Sequence, residues 1–570
     1  MPVRGYEAEP CHAVTGAVGT GYRAAAAALE PGLVLAVDGP AAVDWDRVVV
    51  GVCGALADRG LAIERVDVRE HFAEWPDILK LTASALLEDD PDFAPLSQAG
   101  LADFFAVLPT IEAGADAVTV VFGPGAALVA HDRLWYADLP KRYAEAQITS
   151  GNGRNLGQPD CGGPGTTRRL FYLDWPVLDR HRDEIVADVD LWLDTQDPEA
   201  PAWLKGSDLR EALDRLASRP FRTRPTFNTT SWGGHWAQKE LGFNVEAPNT
   251  ALGYELIAPE SGILVGEEES ETNGARVEVP LQVLVALHPQ ELLGEQVHEV
   301  FGTSFPIRFD YLDTVGGGNL SVHCHPQSDY MQRVFGWPYT QHETYYMMVG
   351  GEERRVFLGL HQDADLEGFR REAERAVHEG VPFDIERYVQ SFPAAPHQLF
   401  LIPGGTPHGS GEGNVVLEIS ATPYLYSLRF YDWLRKDGEG RQRPVHVGHA
   451  FENLDLARSG DAVPRDLVQR PRTLRSGDGW REDVIGTLPE MFFEVRRIEL
   501  AAGAGVADCT DDHFHILNVV EGEGLVVETD NGSSYTLAYA ETLTVPASVG
   551  GYRVRALGES LVRYVKAFVR

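Results

Sequence analysis

Basic residues are scarce in this chain: 49 Lys and Arg stand against 85 Asp and Glu, a formal charge of −36 over 570 residues. Such a surface repels a polyanionic backbone, which excludes nucleic acid as a partner. Cysteine is also scarce. The five present (Cys11, Cys53, Cys161, Cys324, Cys509) are scattered and odd in number, so no disulfide framework is expected. No apolar run approaches the roughly 18 residues that a membrane span needs, so no membrane partner is expected. The opening MPVRGYEAEPCH lacks the apolar centre of a signal peptide, and a cytoplasmic location follows as the expectation. What is there is ordinary for a globular protein, with 44% hydrophobic and 24% charged residues. The length exceeds what one core can serve, so several domains are expected. Oligomeric state has no signal in the sequence.

The most informative stretch runs from Ser321 to His408. His323 and His325 stand in LSVHCHP, Glu343 in TQHETYYMM, and His408 in LIPGGTPHG. Residues two apart on a strand share a face, so His323 and His325 can point into one cavity while Cys324 points away. Glu343 opens an aromatic and β-branched run that suits a second strand, and a Pro-Gly-Gly-Thr-Pro turn presents His408 from a third. Three imidazoles and a carboxylate suit a divalent transition metal, zinc in the first place with manganese or iron as alternatives. With so acidic an average, an anionic substrate would need a local basic cluster, which draws attention to each arginine near these ligands.

The first 215 residues are expected to form an α/β domain. GLVLAVDG reads as a buried strand, DWDRVVVGVCGALADRG as a helix with a glycine cap, and AVTVVFGPG and RLFYLDW as further strands. VDGP is similar to the opening of the loop in P-loop nucleoside kinases, whose loop supplies a Lys for phosphates and a Ser or Thr for magnesium. Here Trp45 and Asp46 fall at those positions, so the domain resembles a kinase with a degenerate loop and is expected to be non-catalytic. LWYADLPKRYAEAQ and GNGRNLG are read as solvated surface loops. SRPFRTRPTF (218–227) reads as a linker, and LGYELIA and LQVLVAL as β-rich stretches. DLEGFRREAERAVHEG reads as an amphipathic helix inserted before the last ligand strand. FHILNVVEGEGLVVETDNG reads as strands closed by an Asn-Gly hairpin. His513, His515 and Glu521 make a tempting second ligand set there, but no closing histidine follows, so a structural barrel is expected.

The motifs WGG (232–234), LSVHCHP, HETYY, IPGGTPHG and LRFYDW, with FHILNVVEG opening a last barrel, resemble those of the class I mannose-6-phosphate isomerases over about residues 230–570. The resemblance implies tandem β-barrel cupin domains: 216–465 carrying the metal and the helical insertion, and 466–570 as a C-terminal barrel. It implies that His325, Glu343 and His408 ligate zinc, that His323 ligates where the family usually has glutamine, and that Arg429 lies beside a sugar phosphate substrate. Gln341 replaces the family's lysine, and Arg308 stands near another. The implied reaction is aldose–ketose isomerisation of mannose 6-phosphate to fructose 6-phosphate through an enediolate. That chemistry needs a base, for which Glu418 and His342 are both candidates. The His323 exchange keeps open a three-His, one-Glu cupin oxygenase or isomerase for another small molecule. The missing lysine keeps open a sugar-binding regulatory protein without turnover.

Overall fold

The computed structural model describes residues 5–159, 163–266, 274–437 and 440–570. The N-terminal part is built on a seven-stranded sheet, ordered Gly19–Thr20, Ala202–Lys205, Leu191–Asp194, Arg133–Asp138, Val34–Asp38, Ala117–Phe122, Ala62–Asp67. The last five of these run parallel, and the first two are added antiparallel. Val34–Asp38 is buried throughout, as a strand covered by helices on both faces must be. The following helix, Trp45–Asp58, turns Trp45, Val48, Val49, Val52, Ala55 and Leu56 to the sheet at helical spacing.

Its N-terminus explains why the preceding loop does not suit a phosphate. The Asp44 side chain accepts from Arg47 N at 3.2 Å, and Asp46 stands in the first turn. The positive end of the helix dipole is therefore already met by the chain's own carboxylates.

Two expectations in this region are overturned. RLFYLDW is not a strand: it continues the helical turn Thr167–Arg169 through Leu170–Asp174 into the helix Trp175–Ile185. LWYADLPKRYAEAQ is not a loop but the strand Arg133–Asp138 followed by the helix Lys141–Thr149. Its cations are neutralised, Lys141 by Asp179 at 2.6 Å and Arg142 by Glu278 at 2.6 Å.

Beside a three-stranded sheet of Cys11–Ala13, Gly262–Gly266 and Arg276–Pro280, two pairs of sheets make up the rest. The first pairs a six-stranded sheet, Leu399–Ile402, Glu343–Val349, Val415–Ala421, Ile307–Asp313, Leu252–Leu256 and Thr226–Asn228, with a five-stranded one. The latter runs Val389–Ala394, Gly351–Leu360, His408–Ser410, Val322–Cys324, Leu428–Tyr431. A six-stranded and a four-stranded sheet form the second pair and share a core that includes Leu517, Tyr564, Val506 and Val527. Among the described residues neither pair closes into a continuous ladder, so the expected barrels are paired open sheets. The inserted helix is present as Leu366–Glu379, capped by Asp365 and ended by Gly380. LQVLVAL is a helix, Leu281–Leu287, rather than a strand. Its Leu281, Val283, Leu284 and Val285 are all fully buried, so no polar face revealed the period.

The presumed linker is a buried strap. Phe221 pairs with Thr544, and the Arg222 guanidinium lies 2.6 Å from Glu541. Among the described residues no helix is long and apolar enough to cross a membrane.

Where the α/β part meets the first sheet pair, Asp138 is 4% exposed. Burial pushes its carboxyl up to about 8; Arg182 opposes this, and Asp194, Glu278 and Asp179 add to it. The unfolded chain releases that proton near the ordinary value of 3.8. On this account stability is full below about pH 4 and is lost as pH rises towards 8. Asp138→Asn is therefore expected to stabilise the fold at pH 8 by about 3 kcal/mol and hardly at all at pH 4. Urea unfolding at the two pH values measures the difference.

Candidate metal centre

The two faces of one short strand separate core from site. On Val322–Cys324, Val322 and Cys324 turn into an apolar cluster with Leu428 and Phe430, while His323 points the other way and His325 follows on the same side. His323 pairs across the sheet with His408 on one flank and Arg429 on the other. The turn before His408 is drawn against the segment before it: Gly405 N donates to the His325 carbonyl at 2.8 Å. Gly405 has φ +82°, and a Cβ there would meet the Asn453 carbonyl at 2.5 Å, so the turn accepts only glycine. Glu343 comes from the opposite sheet, at the start of Glu343–Val349.

One ligand atom from each of His323, His325, Glu343 and His408 lies within 4.8 Å of all the others, and all four residues are buried. The Nδ1 atoms donate to backbone carbonyls: His323 to Ser321 at 3.0 Å, His408 to Thr406 at 2.9 Å and His325 to Tyr426 at 3.3 Å. This fixes the tautomer that leaves each Nε2 lone pair free, the arrangement found behind metal-ligating imidazoles. His408 Nε2 is buried without a hydrogen bond, although it lies 3.3 Å from Glu343 Oε2. An orphaned buried nitrogen facing a carboxylate is what a divalent cation would satisfy. Burial, reinforced by the neighbouring imidazoles, holds His323 well below its ordinary value. Burial would raise Glu343, but His408 and His325 reverse it and keep the carboxylate low and ionised. The donor set fits the metal.

Opposite the cluster, the same cavity of about 160 Å³ is walled by Arg308, Asp310, Tyr345 and Glu418, with Arg429 and Arg443 also lining it. Arg308 forms an ion pair with Glu418, and its Nε donates to Ser420 Oγ at 2.6 Å. Asp310 is opposite Glu418 in the ladder. Burial raises Glu418 well above the carboxylate range; Arg308 opposes this, and Asp310 and Glu343 add to it. Asp310 is raised to about 6, by burial first. Arg429 has no ion pair among the described residues; the nearby Asp432 is taken by Arg435 at 2.9 Å and Arg443 at 3.0 Å.

His342 is the candidate that the structure does not bring here. As Glu343's neighbour it lies outside the cavity lining, and its Nδ1 accepts from Gly404 N at 3.2 Å. Burial, then His325 and Arg458, push it down to about 4; it is a neutral pin for the glycine turn. Asp310, Tyr345 and Arg443 were missed in the sequence. The signal was available for two of them: Arg308 and Asp310, like Glu343 and Tyr345, are two apart on a strand, the spacing that paired His323 with His325. In the second sheet pair no ligand set forms among the described residues. His515 is buried on the Tyr552 hydroxyl at 2.8 Å, whereas Glu521 pairs with Arg563.

Together these features gather, between two sheets, four buried residues that could hold a divalent ion, faced by the Arg308–Glu418 ion pair and by Arg429. Residues 21–218 match a family model described as "Domain of unknown function (DUF8485)". The C-terminal three-fifths of the chain is similar to mannose-6-phosphate isomerases. The Streptococcus mutans serotype c enzyme is 26% identical over 322 residues, covering 56% of this chain and 90% of that protein. The Bacillus subtilis enzyme is 23% identical over 356 residues, covering 61% and 100%. The crystal structure of mannose 6-phosphate isomerase from Bacillus subtilis matches with a TM-score of 0.47 at 20% identity, over 61% of this chain and 99% of that one. A zinc-bound mannose 6-phosphate isomerase matches with 0.46 at 15% identity, over 62% and 100%.

Proposed function

We propose that this protein is a metal-dependent aldose–ketose isomerase that interconverts mannose 6-phosphate and fructose 6-phosphate. The observation that carries the reading is one cavity lined by His323, His325 and Glu343, by the Arg308–Glu418 pair and by Arg429, with His408 completing the four-residue cluster. The similarity to mannose-6-phosphate isomerases supports the substrate class. A bound divalent ion, zinc by its donor set, supplies Lewis-acid polarisation of the substrate carbonyl.

The chain's own residues do the rest. In the open-chain sugar, Glu418 takes the proton from C2 as the C1 carbonyl becomes the oxyanion of an enediolate, then returns it to C1 while the C2 hydroxyl proton passes to the C1 oxygen, leaving the carbonyl at C2. Its burial raises its proton affinity, as a group cycling between both forms near neutrality requires. Arg308 stays charged beside it, since Asp310 and Glu418 outweigh the effect of burial, and it limits how far Glu418 can rise. Arg429, one terminal nitrogen of which donates to the Pro444 carbonyl at 3.2 Å, has its remaining N–H groups to meet the substrate's phosphate or developing oxyanion. Tyr345 OH, buried without a partner in the same cavity, is available to a substrate hydroxyl. The α/β part has no role in phosphoryl transfer on this reading, because Asp44 and Asp46 occupy the helix start where a phosphate would sit.

The experiment is direct. The zinc- and manganese-loaded protein is incubated with each sugar phosphate in D₂O, and C1 and C2 are followed by NMR. Interconversion or deuterium wash-in is expected. Its absence with both metals would overturn the proposal. Arg429→Ala is expected to lower kcat/KM for mannose 6-phosphate by about 10- to 100-fold, the worth of one charged hydrogen-bonding group. Arg429→Lys should recover only part of this, because it restores the charge without the fork.

A further inference from the structure

We infer that the crevice between the α/β part and the first sheet pair is a second small-molecule site, one that takes an uncharged, hydroxyl-rich ring such as an unphosphorylated hexose. Its position is the first ground. In the parallel sheet, Val34–Asp38 lies between Ala117–Phe122 and Arg133–Asp138, so the strand order reverses around it. Ligands of such sheets bind outside the carboxyl ends of the strands at the reversal. The crevice is there: Pro40 lines it just past one of these strands, and Asp138 to Lys141 line it past the next.

The walls give the ligand's chemistry. The outer chamber has a volume of about 290 Å³ and is walled by Phe171, Trp175, Trp337 and Tyr424, with Asp179 and Gln282 among its polar groups. That is near the lower end, about 300 Å³, of small-molecule pockets, the size of a single ring rather than a nucleotide. Indole and phenol faces stack on the C–H face of a sugar ring, leaving its hydroxyls for polar side chains. The inner chamber, of about 50 Å³, shares Lys141, Trp175, Asp179 and Pro259 with the outer one and has Asp138 in its wall.

The Asp138 Oδ2 atom is buried without a hydrogen-bond partner among the described residues. A carboxyl retained there at a folding cost is a group awaiting a ligand.

Charge excludes the anionic alternative. Lys141 is held by Asp179 at 2.6 Å, and Arg182 by Asp179 at 3.0 Å and Asp183 at 2.8 Å. Arg180 donates to the Ala99 carbonyl at 2.6 Å. A phosphate would find these cations engaged and an unpartnered carboxyl beside it. Burial also keeps Asp138 largely protonated near neutrality, which favours a hydroxyl over an ammonium. Tyr424 is a wall shared with the metal cavity: it lines both, and the Arg308 guanidinium lies 6.0 Å from its ring centroid. The inference stands independently of the reaction at the metal.

The test uses the full chain, wild type and His408→Ala, titrated with D-mannose, D-glucose and D-fructose by calorimetry. At least one hexose is expected to bind wild type and His408→Ala alike, with one ligand per chain. Asp138→Ala and Trp175→Leu should each weaken it tenfold or more. Saturation-transfer NMR on the unmodified protein, which does not depend on variants folding, should show transfer from aromatic protons to the sugar ring. Mannose 6-phosphate should not bind His408→Ala through this crevice. No binding or transfer with any of the three hexoses would overturn the proposal. So would binding that is lost in His408→Ala but kept in Asp138→Ala, or tighter binding of glucosamine than of glucose.

Discussion

A His408→Ala protein is expected to purify with little bound metal and to isomerise at least about a thousandfold more slowly than wild type. The size follows from what is lost. His408 contributes a nitrogen that is fully buried, has its tautomer set by the Thr406 carbonyl and makes no hydrogen bond. It faces the Glu343 carboxylate at 3.3 Å, and one nitrogen each of His323 and His325 lies within 4.8 Å. Removing it leaves two imidazoles and one carboxylate around an ion whose Lewis acidity is worth several kcal/mol at the transition state, and each 1.4 kcal/mol is about a factor of ten in rate. The comparison variant is His323→Gln. It keeps a neutral donor at the same register position and is expected to retain metal and measurable turnover. Metal content by mass spectrometry, read beside the initial rate, separates loss of ligation from loss of fold. If His408→Ala holds metal as tightly as wild type, the cluster is not a metal site. If His323→Gln alone loses all metal, the fourth donor must be a nitrogen, and a three-His, one-Glu enzyme with other chemistry becomes the better reading.

The site was largely readable because strand parity is a strict rule. His323 and His325 share a face, and Cys324 falls in the core behind them. The glycine turn before His408 was equally plain, since its positive φ and its close approach to Asn453 leave no room for a side chain. The same parity separates the two candidate bases. His342 is one residue from Glu343 and so faces away, whereas Glu418 faces Asp310 across the ladder. What could not be read were segments whose apolar residues show no period. RLFYLDW and LQVLVAL carry strand-like composition, yet both are helical and buried on several sides. Composition prefers a strand where packing imposes a helix. The interdomain crevice was beyond sequence reasoning for another reason. Trp175 and Tyr424 lie far apart in the chain, and only the docking of the α/β part against the sheets brings them to one wall. The opening SRPFRTRPTF shows the same limit: its prolines suggest a free linker, but Arg222 is locked onto Glu541 and Glu255 in the interior.

Glu418→Gln is expected to slow isomerisation by about 10²- to 10⁴-fold with metal binding intact, the range associated with loss of a positioned acid–base group. The substitution is close to isosteric and falls on Val415–Ala421 at a residue outside the four-residue ligand group, so the cluster should keep its ion. It removes the carboxylate that pairs with Arg308 and leaves a buried guanidinium with Asp310 as its nearest acid, 3.7 Å away. Some instability is therefore expected alongside the catalytic loss, because a buried charge deprived of its partner is costly. The informative readout is exchange rather than turnover. If Glu418 moves the proton, both interconversion and deuterium wash-in from D₂O fall together in the variant, while mannose 6-phosphate still binds. A variant that keeps wash-in but loses interconversion would show that another group takes the proton, with Asp310, raised to about 6 and lining the same cavity, the next candidate. Preserved turnover in a folded, metal-loaded Glu418→Gln protein would remove Glu418 from the chemistry altogether and leave the Arg308–Glu418 pair as a structural tie across the sheet.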